Sequence, residues 1–221
     1  STGRQSAKEV PESSYQEDPM SDENTRHREK MQKIKAARDR MMEGKTSEKG
    51  LIIVHTGPAK GKTSTVFGIL CRAIAHDMPA AVVQFIKGAW GTGERDFFTT
   101  HFADQVTWVT SGEGFTWETQ DKERDIAAAQ AGWTKARELI RDPANRFVLL
   151  DEINIALRCD YLNIDEVVDF LLTEKPDMTH VVLTGRNAKE ELIEAADLVT
   201  TMEATKHPFR DGIKAQKGVE F

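Results

Sequence analysis

Short, almost wholly apolar runs that alternate with amphipathic segments are the feature that most limits the folds open to this chain of 221 residues. Such runs are typical of strands buried on both faces, and strands of this kind occur in parallel sheets covered by helices. The sequence therefore predicts one α/β domain with a mostly parallel sheet and helices on both faces. The predicted strands are 51–56, 80–87, 106–111, 146–152, 180–185 and 198–203, and the predicted helices are 62–75, 119–141, 165–172 and 188–196.

The first part of the chain differs in composition from this domain. Residues 1–25 are rich in Ser, Glu, Pro and Asp, and we expect them to form a disordered extension because they offer little apolar surface to bury. Residues 26–49 are predicted to form a basic helix and a linker, with Met31 and Ile34 on one helical face. The simplest interpretation of this helix is a surface element with solvated charges, ahead of nucleic-acid binding, and the alternative is a mobile helix over an active site. The folded domain is predicted to span residues 50–221.

Charge and cysteine content exclude several classes of protein. The chain has a formal net charge of -6, whereas nucleic acids and anionic membranes attract an excess of Lys and Arg, so neither is predicted as a partner. No apolar run reaches the roughly 18 to 20 residues that cross a bilayer, and no secretory signal opens the chain, so we expect a cytoplasmic protein. Cys71 and Cys159 lack the spacing of a metal or redox motif and are expected to be small buried residues.

The stretch TGPAKGKTS, residues 56–64, connects an apolar run to a predicted helix. In a glycine-containing turn of this kind, backbone N–H groups and the positive end of the helix dipole point at one spot, where a polyphosphate binds. Lys62 is predicted to neutralise phosphate oxygens, and the hydroxyl of Thr63 to coordinate Mg²⁺. The sequence therefore predicts a nucleotide site at this turn.

This loop departs from the standard phosphate-binding pattern in length and charge. Gly57 and Gly61 have one residue fewer between them than the pattern requires, and an additional lysine, Lys60, lies inside the loop. The departure raises the question of whether the terminal phosphate of ATP is cut in the usual way or the nucleotide is used differently.

The run VLLDE provides a second candidate element, because its predicted strand ends in two carboxylates. Ligands bind at the carboxyl ends of strands in open α/β sheets. Asp151 is predicted to hold Mg²⁺, and Glu152 either to orient a water molecule or to contact another part of the nucleotide. A helix cap is the simpler role, but the nearby phosphate loop disfavours it. Three functions stay open on these residues: an ATPase or kinase, an enzyme that attacks ATP elsewhere, and a RecA-like binding module without chemistry of its own.

Aromatic residues on two loops separate the first two of these functions. Trp90 lies in the stretch GAWGTGERD, and Phe115 and Trp117 lie in GEGFTWETQ. They stand among glycines and polar residues, where a core is hard to build. At these residues the sequence resembles the ATP:corrinoid adenosyltransferases of the CobA/CobO/BtuR type, over essentially residues 26–221. The resemblance also includes TGPAKGKTS, FVLLDE, CDYLNIDEVV, LTGR and KHPFRDGIKAQKGVEF.

The resemblance implies a RecA-type P-loop fold and a reaction at carbon rather than phosphorus. In this family the Co(I) of a reduced corrinoid attacks the 5′ carbon of ATP, a Co–C bond forms, and inorganic triphosphate leaves. The resemblance implies that the loop surrounds the γ-phosphate, with Lys60, Lys62 and Mg²⁺ (or Mn²⁺) stabilising the leaving group. No general base is needed, because the cobalt nucleophile has no proton to lose. A homodimer and an electron donor such as a flavoprotein are also implied.

Individual roles carry over from the resemblance. Phe115 and Trp117 match the aromatic pair that fills the lower face of the corrin and displaces its axial ligand, which eases reduction of Co(II) and keeps water out. Trp90 is expected to be a further corrinoid contact, and the basic N-terminal helix to cover the bound corrinoid. Arg72 is expected to contact the nucleotide, its alternative being a plain surface residue. The predicted ATP-binding residues are Gly57, Pro58, Ala59, Lys60, Gly61, Lys62, Thr63, Ser64, Arg72 and Glu152, and the predicted Mg²⁺ ligands are Thr63 and Asp151.

Overall fold

The computed structural model describes residues 19–85, 93–111 and 122–219. The chain divides into two compact units, residues 1–47 and residues 48–221. In the first unit, helix α1 covers Pro19–Glu43, so it begins earlier than the predicted start at residue 26. Its apolar side chains include Met31, which is exposed.

The second unit alternates strands and helices, as predicted. Each predicted strand and helix is found, with ends that differ by a few residues; 86–87 and 119–121 lie outside the described residues. Two short helices, α3 and α5, were not predicted, because neither shows an apolar repeat long enough to indicate a helix. In chain order the elements are β1 (Ile52–Thr56), α2 (Lys62–Ile74), β2 (Ala80–Gln84), α3 (Gly93–His101), β3 (Val106–Thr110), α4 (Lys122–Arg141), β4 (Phe147–Asp151), α5 (Ile153–Arg158), α6 (Ile164–Thr173), β5 (His180–Thr184), α7 (Glu190–Ala195), β6 (Leu198–Thr201) and a 3₁₀ helix (Pro208–Asp211).

Within the described residues, the strands form one six-stranded sheet in the order β3-β2-β4-β5-β1-β6. Every neighbouring pair runs parallel. Strand β5 therefore separates β1, which leads into the phosphate loop, from β4, which ends in the acidic pair. The predicted fold class is confirmed as an α/β domain with a parallel sheet and helices on both faces. None of the helices in the described part of the chain is long and apolar enough to cross a membrane.

An apolar layer lies on each face of the sheet. On one face Val66 and Leu70 of α2 pack with Leu149, and on the other Trp133 of α4 packs with Leu150. Successive residues of a strand point to opposite faces. Asp151, two residues after Leu149, therefore lies on the α2 face of the sheet, beside the N-terminus of that helix.

The expectation that the cysteines are buried is wrong for Cys71, which is exposed on α2; Cys159 is partly buried, and both thiols are free. The buried face of α2 includes Val66, Leu70 and Ala73. Because a helix turns by about 100° per residue, the position after Leu70 falls outside that face.

Candidate functional site

The predicted phosphate loop joins β1 to α2 and contains two glycines in a left-handed backbone conformation. The φ angles are 101° at Gly57 and 104° at Gly61, a region that residues with a Cβ rarely adopt. At Gly57 a Cβ would also collide with the backbone of Met202. The path of the loop therefore depends on glycine at Gly57 for two separate reasons.

The segment that follows β6 closes this loop. The N–H of Met202 donates to the carbonyl oxygen of Thr56 at 2.8 Å, and the N–H of Ala59 donates to the carbonyl oxygen of Met202 at 3.1 Å. The parallel pairing of β1 with β6 thus continues beyond the end of β6 into the loop. A loop one residue shorter than standard is held here by backbone bonds to a neighbouring segment.

The side chain of Lys62 lies inside the loop. This first residue of α2 is buried, and its ammonium group donates to the carbonyl oxygens of Gly57 at 2.9 Å and Ala59 at 2.6 Å. Burial lowers the pKa of Lys62, the nearby carboxylate of Glu152 opposes that effect, and the positive charge of Arg186 adds to it. The ammonium is therefore held by neutral oxygens, which leaves its charge available to an arriving phosphate.

The carboxylate of Asp151 joins the end of β4 to the start of α2. Asp151 is only 2% exposed. Its Oδ1 accepts hydrogen bonds from the hydroxyls of Thr63 at 3.0 Å and Thr184 at 2.8 Å, and its Oδ2 accepts one from the amide of Gln84 at 3.3 Å. Burial raises the pKa of Asp151, while the three hydrogen bonds lower it. The structure thus brings the two predicted Mg²⁺ ligands into direct contact.

Thr63 and Asp151 offer hard oxygen donors, the kind that Mg²⁺ takes in proteins. The carboxylate of Glu94, at the start of α3, is near enough to raise the pKa of Asp151 further. This additional negative charge also favours a cation here. Among the described residues, no group of three or more His, Cys, Asp or Glu is arranged to hold a metal. The residues fit an ion that takes one or two protein ligands and completes its shell with phosphate oxygens and water, as Mg²⁺ does in nucleotide sites.

Glu152 has a strained backbone and a carboxylate oxygen without a partner. Its φ is 60°, its N–H donates to Thr184 Oγ1 at 2.9 Å, and its Oε2 is buried without a hydrogen bond from the described residues. Burial and the charge of Asp151 raise the pKa of Glu152 to about 7. It occupies the N-cap position of α5, but its side chain makes no capping bond, so capping does not explain it. Strain of this kind concentrates at functional sites.

Several residues of this site were missed in the sequence. Gln84 and Thr184, which donate hydrogen bonds to Asp151, end the apolar runs of β2 and β5. A polar residue at the carboxyl end of a buried strand is the pattern from which they could have been predicted. Arg186 follows β5 by two residues. Met202 gave no signal, because its contacts with the loop are made by its backbone.

The other predicted site residues have exposed side chains or lie outside the described residues. Arg72 is exposed in the last turn of α2, about 15 Å along the helix axis from Lys62, so its contact with the nucleotide stays a prediction. Pro58, Lys60 and Ser64 lie on the loop and the first turn of α2 with exposed side chains. The predicted corrinoid contacts Trp90, Phe115 and Trp117 lie outside the described residues.

Comparison with known proteins gives a consistent result along the chain. Residues 48–221 match the family described as ATP:corrinoid adenosyltransferase BtuR/CobO/CobP, and residues 13–42 match the cob(I)alamin adenosyltransferase N-terminal family. A corrinoid adenosyltransferase of a Sinorhizobium species is 64% identical over 205 residues, which cover 93% of this chain and 96% of the relative. A corrinoid adenosyltransferase of Pseudomonas aeruginosa is 51% identical over 90% of this chain and 98% of the relative.

A third relative, the corrinoid adenosyltransferase of Escherichia coli K12, is 40% identical over 91% of this chain and 100% of its own length. Among solved structures, a KaiC-like protein of Pyrococcus horikoshii aligns over 71% of this chain and 74% of that chain, with 16% identity and a TM-score of 0.42. That structural likeness is too low to establish a shared fold.

Replacement of Gly57 by alanine is expected to weaken ATP binding by about 100-fold or more, because the added Cβ displaces the loop that holds Lys62. Gly212→Ala is the matched control: Gly212 also has a positive φ, 74°, but a Cβ there meets no atom within 4 Å. Titration calorimetry with ATP compares the two variants, and ATP affinity in Gly57→Ala equal to that of the wild type contradicts this account of the loop.

The buried carboxyl of Glu152 is expected to make the unliganded protein less stable as the pH rises. Its ordinary pKa of 4.5 is raised to about 7 in the folded protein. Between these values the folded state keeps a proton that the unfolded state has released, so the free energy of unfolding falls with rising pH, by on the order of 1 kcal/mol per pH unit. Urea unfolding over this range should show a smaller slope in Glu152→Gln, and identical slopes in both proteins contradict the assignment.

Proposed function

From the premise that this chain belongs to the ATP:corrinoid adenosyltransferase family, we propose how its residues carry out the reaction. The protein is an ATP-dependent transferase that moves the 5′-deoxyadenosyl group of ATP to the Co(I) of a reduced corrinoid and releases triphosphate, a step of adenosylcobalamin synthesis. The match of a 64% identical corrinoid adenosyltransferase over 93% of the chain carries this conclusion.

The loop and its lysine stabilise the leaving group. The electron pair of Co(I) forms the bond to the 5′ carbon, the bond between that carbon and the 5′ oxygen breaks, and its electron pair leaves on triphosphate. No proton is transferred. Charge therefore grows on the phosphate oxygens, and the buried ammonium of Lys62 meets it with little reorganisation. The position of this ammonium within the loop, 2.6 Å from the carbonyl oxygen of Ala59, supports the role.

Thr63 and Asp151 hold Mg²⁺, or Mn²⁺ in its place. When bound, the ion neutralises part of the polyphosphate charge and orients the nucleotide. The support for this assignment is the contact of the two oxygen donors at 3.0 Å and the burial of Asp151, a carboxylate that gains from a nearby cation. Gln84 and Thr184 keep the carboxylate oriented.

The remaining loop residues bind the phosphates of ATP, and Glu152 and Arg72 contact other parts of the nucleotide. The unpartnered Oε2 of Glu152 supports its share of this role. Phe115, Trp117 and Trp90 bind the corrinoid. The basic N-terminal helix, residues 26–42, covers the bound corrinoid, and the match of residues 13–42 to the N-terminal family supports a dedicated role for it.

The enzyme works as a cytoplasmic homodimer with a reduced flavoprotein as electron donor. The free thiols of Cys71 and Cys159 are compatible with a reducing compartment. Formation of Co(I) also requires an electron source, and neither ATP nor the corrinoid supplies one.

Incubation of the protein with ATP, Mg²⁺ and a chemically reduced corrinoid tests the function. We expect inorganic triphosphate and an alkyl-cobalt product in equal amounts, the latter identified by its light-sensitive spectrum. Release of ADP and phosphate with an unchanged corrinoid would instead indicate the alternative function, a RecA-like P-loop ATPase or kinase. Asp151→Asn serves as a control that is expected to lose most of the Mg²⁺-dependent activity.

Replacement of Phe115 or Trp117 by alanine is expected to impair the reaction that starts from Co(II) about 10-fold or more beyond any loss in the reaction that starts from preformed Co(I), because the pair acts on reduction rather than on transfer. Parallel assays of the two reactions measure this ratio. Losses of the same size in both reactions count against a ligand-displacing role.

A further inference from the structure

The turn after β5 contains an arginine to which the roles above assign nothing. Arg186 closes the motif LTGR, and its side chain is exposed. Strand β5 lies between β1 and β4 in the sheet. Arg186 therefore leaves the sheet at the same edge as the phosphate loop and the carboxylates of Asp151 and Glu152, and between them.

Backbone hydrogen bonds fix this turn against the start of the phosphate loop. The N–H of Gly185 donates to the carbonyl oxygen of His55 at 3.2 Å, and the N–H of Ala188 donates to Thr56 Oγ1 at 3.0 Å. Arg186 lies between these two bonds. Its Cα therefore has a set position relative to the loop. Little conformational freedom of the backbone remains to be lost when the side chain binds a ligand.

The other side of the turn is packed against the acidic end of β4. Gly185 has a φ of 129°, and a Cβ there would lie 2.8 Å from the Cβ of Asn154 and 3.1 Å from Oε2 of Glu152. The side-chain amide of Asn154 also donates to the carbonyl oxygen of Gly185 at 3.0 Å. Glycine at this position thus lets the turn approach Glu152 closely enough to bring Arg186 into the site.

The charge of Arg186 acts on both halves of the site. It lowers the pKa of Lys62 and the pKa of Glu152. In the described part of the chain its guanidinium takes part in no salt bridge or hydrogen bond. Lys62 is held by neutral carbonyl oxygens and Arg186 has no ion pair among the described residues, so two cations at one edge of the sheet favour an anionic ligand.

We propose that Arg186 binds the triphosphate portion of ATP together with Lys62 and holds it as the leaving group departs. The choice of triphosphate as the anion rests on the function proposed above. A planar guanidinium can donate two hydrogen bonds to one phosphate group, and this pairing strengthens as negative charge collects on the phosphate oxygens. Lys62 acts from inside the loop, and Arg186 acts from the opposite, solvent-facing side.

Calorimetric titration with inorganic triphosphate and Mg²⁺, without any corrinoid, tests this proposal. We expect Arg186→Ala to bind triphosphate about 10- to 100-fold more weakly than the wild type, the range for loss of a charge-assisted pair. Arg186→Lys, which keeps the charge but loses the planar fork, should fall between the two. Arg158→Ala is the matched control: Arg158 is another exposed arginine whose charge acts on Glu152, and its loss should change the affinity by less than about twofold.

Triphosphate affinity in Arg186→Ala equal to that of the wild type would overturn the proposal, as would equal losses in Arg186→Ala and Arg158→Ala, which indicate a general effect of net charge. The melting temperature of each unliganded variant shows whether the fold is intact, and Arg186→Lys provides the decisive comparison if the alanine variant is unstable. The product assay on the wild type is separate. If it shows ADP in place of triphosphate while Arg186→Ala still binds triphosphate weakly, the proposed reaction fails and the phosphate-binding role of Arg186 stands.

Discussion

The hydrogen bond between Thr63 and the buried carboxylate of Asp151 is the interaction on which the rest of the site depends. It joins the first turn of α2 to the end of β4 across the intervening strand β5. The parallel register of the sheet sets the height of Asp151, and the packing of α2 on the same face sets the height of Thr63. Because both partners are fixed by the core, a cation held by Thr63 and Asp151 would need no rearrangement of the backbone.

The charges around this contact are poorly matched without a ligand. Lys62 is buried against carbonyl oxygens and Asp151 against hydroxyl and amide groups, while Glu152 has a buried oxygen that no described residue hydrogen-bonds. Burial opposes the charged form of each of these three groups. In the proposed function, nucleotide and divalent cation together would supply the missing opposite charges, and their binding would offset the free-energy cost of burying these groups.

The sequence predicts those parts of the molecule that depend on local pattern. Buried strands appear as runs such as that of β4, and the phosphate loop is marked by Gly57, Lys62 and Thr63, since strand burial and loop shape are set by neighbours in the chain. Other features depend on residues far apart in sequence. Met202 closes the loop through backbone bonds to Thr56 and Ala59, and no side-chain pattern encodes such contacts.

Two further failures have physical reasons of a similar kind. Cys71 was placed in the core although the buried face of α2, set by Val66 and Leu70, excludes its position. Helix α5 is too short to show a periodic apolar pattern. For Glu152, in contrast, the sequence already disfavours a capping role, and the left-handed backbone and missing capping bond agree with that prediction.

The central claim is that the loop holds a leaving group while the 5′ carbon of ATP is attacked, and an isotope label in ATP tests it most directly. ATP with ¹⁸O at the oxygen that bridges the ribose 5′ carbon and the α-phosphate is converted by the wild-type enzyme with a reduced corrinoid, and mass spectrometry locates the label. Attack at carbon predicts that the label leaves with inorganic triphosphate. Label retained in the nucleoside product would mean that phosphorus is attacked, and would contradict the account.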